Sequence, residues 1–135
     1  DIRWKQRFDN LQRAYRRLCS MLELQQQDPD SDVIRMALIK AYEFTFELSW
    51  KTLKDYLAYN GIDARLPREV IKQAFATGLL VDGELWIAML EERNLMAHTY
   101  DDARAKAAVE QIQSRYLAGL NQVHELLATK LEERP

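Results

Sequence analysis

Arg93, Asn94, His98 and Tyr100 set a guanidinium, an amide, an imidazole and a phenol within eight residues of one another. A guanidinium offers a rigid fork of donors to a phosphate, and an imidazole moves protons near neutral pH. Together they suit attack on a phosphodiester without a metal. The imidazole serves the attacking or leaving oxygen, and the guanidinium meets the developing charge. The apolar positions upstream, Trp86, Met89 and Leu90, follow helical spacing, and that spacing puts Arg93 at the next inward position, ahead of Met96 and Ala97. Arginine is seldom fully buried unless paired, and an unpaired buried charge is costly. Either a carboxylate meets Arg93, with Glu43 and Glu47 as candidates, or the stripe opens into a cleft where an anion binds. On one continuous helix five residues turn roughly 140°. Arg93 and His98 therefore converge only if the helix ends near His98 and the ring turns back, or if two chains face each other across a symmetry axis. The plainer alternative is a helix C-terminus that attracts Arg and His through its dipole and free carbonyls.

The elements that must position these residues are helical. Trp4, Phe8, Leu11, Tyr15, Leu18 and Leu22 alternate four and three apart, which predicts a first helix from about Ile2 to Leu24. Gln25 to Asp30 breaks it, with Pro29 barring continuation, and Ser31 or Asp32 caps the next helix. That second helix runs from Val33 to Asn60 and ends at Gly61. It carries two apolar stripes, so it must touch several neighbours. At roughly 40 Å it is longer than a small bundle requires, and the surplus surface suits a second copy of the chain. Pro67 opens a short third helix to about Thr77, followed by Gly78. A fourth helix spans about Gly83 to His98, with Asp82 as cap. Asp101 or Asp102 caps a long fifth, whose stripe is Val109, Ile112, Tyr116, Leu120, Val123, Leu127 and Leu131. The pattern predicts an all-α protein: an antiparallel four-helix bundle with a short additional helix.

Composition narrows the function classes. The chain has 135 residues, enough for one core, and a net charge of −2, which gives no global case for nucleic-acid binding. Arg13, Arg16 and Arg17 cluster on one face of the first helix and read as a solvated face. Cys19 is the single cysteine, so it forms no internal disulfide and reads as a small core residue. His124 reads as an ordinary surface histidine. No second His or Cys stands at ligand spacing, so neither a metal nor another cofactor is expected. No apolar run suits a bilayer and no signal peptide is visible, so the chain reads as soluble and cytoplasmic. Phosphate-loop, nucleophile-elbow and dinucleotide fingerprints are missing.

Arg93-Asn94-x-x-x-His98-x-Tyr100 resembles the R-polar-x(3–5)-H signature of the HEPN superfamily, in the form found in HepT-like proteins, also described as nucleotidyltransferase substrate-binding proteins. Two further segments are similar to that family: Glu47 to Leu57, and Pro67 to Phe75. The resemblance runs over essentially the whole chain and implies one domain over residues 1–135. It implies a homodimer with the motif of each subunit lining a shared cleft. It implies a partner, a minimal nucleotidyltransferase encoded nearby, often in a toxin–antitoxin pair. In catalytic members the motif serves metal-independent RNA cleavage. Carried over, Arg93 and His98 are the catalytic pair, Asn94 is the polar position, and Tyr100 is the tyrosine that the partner modifies with nucleotide groups to silence the toxin. The alternative within the same family is a non-catalytic subunit that binds a nucleotide or other substrate for the nucleotidyltransferase.

Overall fold

A computed structural model of the protein describes residues 2–96 and 101–133. Helix α1 spans Arg3–Gln27, α2 Asp32–Tyr59, α3 Pro67–Ala76 and α4 Gly83–Met96. Helix α5, Asp102–Gln111, passes through a π-helical turn at Ile112–Tyr116 into α6, Leu117–Glu132. Among the described residues every regular element is helical.

The helix ends follow local chemistry. The Ser31 hydroxyl accepts from the Ile34 amide at 3.2 Å, the Asp82 carboxylate from Leu85 at 3.0 Å, and the Asp101 carboxylate from Ala103 at 2.9 Å. Each satisfies one of the free amides of a first turn. Gly61 follows α2 with φ of 84°, and Gly78 follows α3 with φ of 80°, a region other residues enter only with strain. Two boundaries differ from the sequence expectation. Helix α1 continues through Gln27, because nothing before Pro29 blocks the ladder. The long fifth helix is interrupted by the π turn, within which Ile112 and Tyr116 are both buried.

Contacts fix the directions. Arg7 pairs with Asp55 at 2.7 Å and Trp4 packs edge-on to Tyr56, so α1 and α2 run antiparallel about the Asp28–Ser31 turn. Tyr15 donates to Asn121 at 3.0 Å and Phe8 meets His124, which sets α6 antiparallel to α1. Phe46 stacks on Trp86, and the Tyr42 hydroxyl donates to the Met89 carbonyl at 3.3 Å, which sets α4 antiparallel to α2. Helix α2 is the hub: Leu38, Tyr42, Phe46, Leu53 and Leu57 are buried, and it touches α1, α3, α4, α5 and α6. This matches the several neighbours that its two stripes require. Gly119 lets α6 approach α4 closely. A Cβ there would stand 3.0 Å from Leu85 and 3.3 Å from the Met89 sulfur. Five α2 groups that are polar or charged lie in the core beside these apolar ones. Arg35 is held by Asp32 and by the Pro29 carbonyl, Asp55 by Arg7, and the Thr45, Ser49 and Thr52 hydroxyls donate to the Ala41, Thr45 and Leu48 carbonyls one turn back.

Candidate functional site

Helix α4 carries the candidate residues, and its packing on α2 determines where they project. Tyr42 pins the middle of α4 through the Met89 carbonyl. One turn further on, Arg93 reaches back across to α2, where its Nη2 lies 2.6 Å from Glu47 Oε1. Its Nη1 donates to the Asn94 amide oxygen at 2.9 Å, and its Nε is buried without a hydrogen-bond partner among the described residues. Glu47 is itself anchored. Its other oxygen accepts from the Trp50 indole at 3.1 Å and faces Lys51 Nζ at 3.8 Å. Glu43, the other carboxylate the sequence allowed, turns instead to Lys40 at 3.2 Å.

Both alternatives for Arg93 therefore hold at once. A carboxylate meets it, and the stripe also opens into a cleft. The Arg93 side chain is 28 % exposed, too wet for a core ion pair. It lines a groove of about 550 Å³ between α2, the end of α4 and the start of α5, together with Met36, Ile39, Glu43, Glu47 and Met96. Lys40 on one wall and Asp101 and Asp102 on the other complete the charged rim. Among the described residues the groove thus holds two cations and four carboxylates. A phosphate entering it must compete with Glu47 for the guanidinium.

A smaller compartment of about 240 Å³ adjoins the groove, sharing Ile39, Met96 and Ala105 with it. Glu92 and Arg104 line it. Burial pushes the Glu92 carboxyl above its ordinary range. Behind it the Tyr42 and Tyr116 phenols stack 5.7 Å apart, and burial raises both, with Glu92 adding to each shift. Both phenols stay neutral at physiological pH and act as packing and hydrogen-bonding groups.

Asn94 is exposed beside Arg93 and oriented by it. His98 and Tyr100 lie outside the described residues, as do Ala97 and Thr99. Met96 is the last described residue of α4, and the expected end near His98 lies outside the described residues. Trp50 and Lys51, at i+3 and i+4 from Glu47, are members of the site that the sequence reading missed. Their spacing was the available signal.

Two residues away from the groove differ from expectation. His124 is half-buried, stacked on Tyr15 at 4.9 Å and tilted against Phe8 at 5.7 Å. Burial, then Arg16, lowers its pKa. Cys19 is likewise only half-buried, and Tyr15 beside it is pushed up to about 12, by burial first and then by Cys19. No group of three His, Cys, Asp or Glu residues among the described ones is arranged to hold a metal ion. Nor is any described helix long and apolar enough to cross a membrane.

Comparison with known proteins places this geometry. A family model described as nucleotidyltransferase substrate binding protein like matches residues 6–129. A Haemophilus influenzae protein named probable ribonuclease HepT is 33% identical over 86 residues, which is 60% of this chain and 59% of that protein. The matched region thus spans under two thirds of that relative's length. A crystal structure of a Thermus thermophilus protein superposes with a TM-score of 0.73 at 31% identity, over 91% of this chain and 99% of the other. The H. influenzae protein HI0074, described as revealing the fold of a substrate binding domain of a nucleotidyltransferase, superposes with a TM-score of 0.76 at 27% identity. That match covers 90% of this chain and 98% of HI0074.

Proposed function

The chain belongs to the nucleotidyltransferase substrate-binding-protein-like family, and from that premise we propose that it is a HepT-like endoribonuclease, the toxin of a toxin–antitoxin pair. The observation that carries this reading is Arg93. It stands at the mouth of a groove, partly exposed, aimed by Glu47 and Asn94 and not sealed in the core. In this reading the guanidinium meets the scissile phosphate of an RNA strand, and His98 moves protons at the attacking or leaving oxygen without a metal. Residues 1–135 act as one domain, and two copies pair so that the grooves share a cleft. A separately encoded minimal nucleotidyltransferase is the partner. It places nucleotide groups on Tyr100, and a bulky anionic phenol there blocks phosphate entry by volume and by charge.

Solo expression in a cytoplasm, where the protein would act, tests the reading. The expected result is growth arrest with RNA decay, abolished by His98→Ala and relieved by the partner. After coexpression, intact mass is expected to show nucleotide mass on Tyr100. Unimpaired growth, with no cleavage by purified protein, would overturn it.

A second reading has its own support. The rim holds more carboxylates than cations among the described residues, an arrangement less suited to a polyanion than to a single nucleotide seated beside Arg93. That favours a non-catalytic subunit that presents a nucleotide or other substrate to the nucleotidyltransferase. It predicts saturable nucleotide binding with no RNA cleavage.

A further inference from the structure

The compartment beside the groove has a lining that packing alone does not require. Ile39 of α2, Met96 of α4 and Ala105, Ala107 and Ala108 of α5 give it apolar walls, and one carboxylate residue, Glu92, is part of its lining. Among the described residues no hydrogen bond or salt bridge reaches that carboxylate. Its neighbour Glu91 faces Arg68 at 3.9 Å, and Arg104 lines the same compartment without forming a pair with Glu92. An ionised carboxylate is acceptor-only, with two oxygens in one plane. Half-buried, it is open to accept from the donors of a ligand that displaces its water. Desolvation already weighs on it, as its raised pKa records.

The size and position of the compartment limit the ligand. At about 240 Å³ it falls below the roughly 300–1,000 Å³ of pockets that take whole drug-sized molecules, so it suits one ring system. Met96 lies three residues beyond Arg93 and four beyond Glu92. On a helix that puts it over both, and with Ile39 and Ala105 it borders both compartments. A ligand with a ring in one compartment and a phosphate in the other is a nucleotide.

We infer that this compartment is a guanine-reading subsite, in which the two Glu92 oxygens accept the ring N–H and the exocyclic amino group of the base between Ile39, Met96 and the α5 alanines. Guanine alone among the common bases offers two adjacent N–H donors on its Watson–Crick edge. Splayed single-stranded bases are read on that edge by hydrogen bonds and covered by flat or apolar side chains. Two parallel N–H···O⁻ bonds are the charge-assisted, bidentate kind that contributes most to discrimination. The subsite rests on the reading of the Arg93 groove as a nucleotide or RNA site, and it serves the ribonuclease and the binding-subunit readings alike. In the first it selects the base next to the scissile phosphate, and in the second it selects the nucleotide.

Calorimetry on the purified full chain with GMP, IMP, AMP and CMP tests it. GMP is expected to bind about tenfold tighter than AMP or CMP, the scale of one good bidentate pair. IMP, which lacks the exocyclic amino group, should fall between. Glu92→Gln is expected to bring GMP down to the level of AMP. Ala107→Trp fills the compartment from the α5 side and should do the same with Glu92 intact, so a folding defect in one variant leaves the other decisive. Equal binding of GMP and AMP, or a guanine preference that survives both substitutions, would overturn the proposal. A cleavage arm separates this failure from failure of the ribonuclease reading. Guanine preference in binding with no RNA cut sinks the nuclease and keeps the subsite. RNA cut without regard to guanine, unchanged by Glu92→Gln, sinks the subsite and keeps the nuclease.

Discussion

Arg93 and Glu47 are one unit, but removing either partner has different consequences. Without Arg93, Glu47 keeps the Trp50 indole and Lys51, so no charge is stranded. The pair is also partly exposed, and such pairs contribute about 1 kcal/mol or less. Arg93→Ala is therefore expected to lower the unfolding free energy from a urea titration by no more than about that amount, while on the ribonuclease reading RNA cleavage falls by about 100-fold or more, the usual effect of losing one transition-state donor. Glu47→Ala has the opposite balance. It takes the acceptor from the buried Trp50 indole and leaves the guanidinium with Asn94 alone among the described residues, and a stranded buried donor costs about 1–3 kcal/mol. A urea titration in which Arg93→Ala is the more damaging variant would contradict this account. Position 93 also marks the extent of what sequence reveals at this scale. The interruption of an apolar stripe by arginine was plain in the chain, and so were two acids able to meet it. The choice between Glu43 and Glu47 was not, because it depends on the rotation of α2 against α4. Lys40 lies within one turn of Glu43, and the Trp50 indole within one turn of Glu47.

The helices are more legible than their couplings. Caps at Ser31, Asp82 and Asp101, and Pro67 opening α3, are local chemistry, and the structure places them where the sequence indicated. The π turn at Ile112–Tyr116 was not legible, since an apolar stripe spaced three and four apart continues smoothly through it. Nor was the setting of His124, which depends on Tyr15 and Phe8 from another helix. That seam between α1 and α6 gives a pH-dependent stability. Burial and Arg16 lower the folded pKa of His124, and Glu125 opposes them in part. A base whose folded pKa is depressed takes up its proton more readily in the unfolded chain. The stability is then complete above the unfolded value of about 6.5, and it declines as pH falls below that value toward the folded one. His124→Phe keeps a flat ring between Tyr15 and Phe8 and removes the proton. Between pH 7 and pH 5 the parent is expected to lose more of its urea midpoint than His124→Phe does. Parallel losses would remove His124 from the explanation.

At the scale of the molecule, α2 joins core, groove and outer surface. Its inward residues Tyr42 and Phe46 hold α4, and Glu47 aims Arg93. On its outer side Val33, Met36 and Phe44 are 77 %, 68 % and 58 % exposed. Met36 lines the groove itself, and Phe44 lies one turn from both Lys40 and Glu47. Large apolar side chains grouped along the rim of a charged groove mark a contact surface, and they bear on the proposed pairing of two copies. A two-fold contact here would bring a second Arg93 groove beside the first and cover both Phe44 rings. It would also join the two motifs in one cleft, as the ribonuclease reading requires. Met36→Asp with Phe44→Asp puts four like charges into such an interface. Neither position is in the buried core, so folding should persist with an unchanged helical spectrum. The expected outcome in sedimentation velocity is a shift from dimer to monomer, with RNA cleavage lost although Arg93 and His98 are intact. A double variant that stays dimeric would move the interface to another face of the bundle. A monomer that still cleaves would show that one chain suffices, and the shared cleft would have no part in the chemistry.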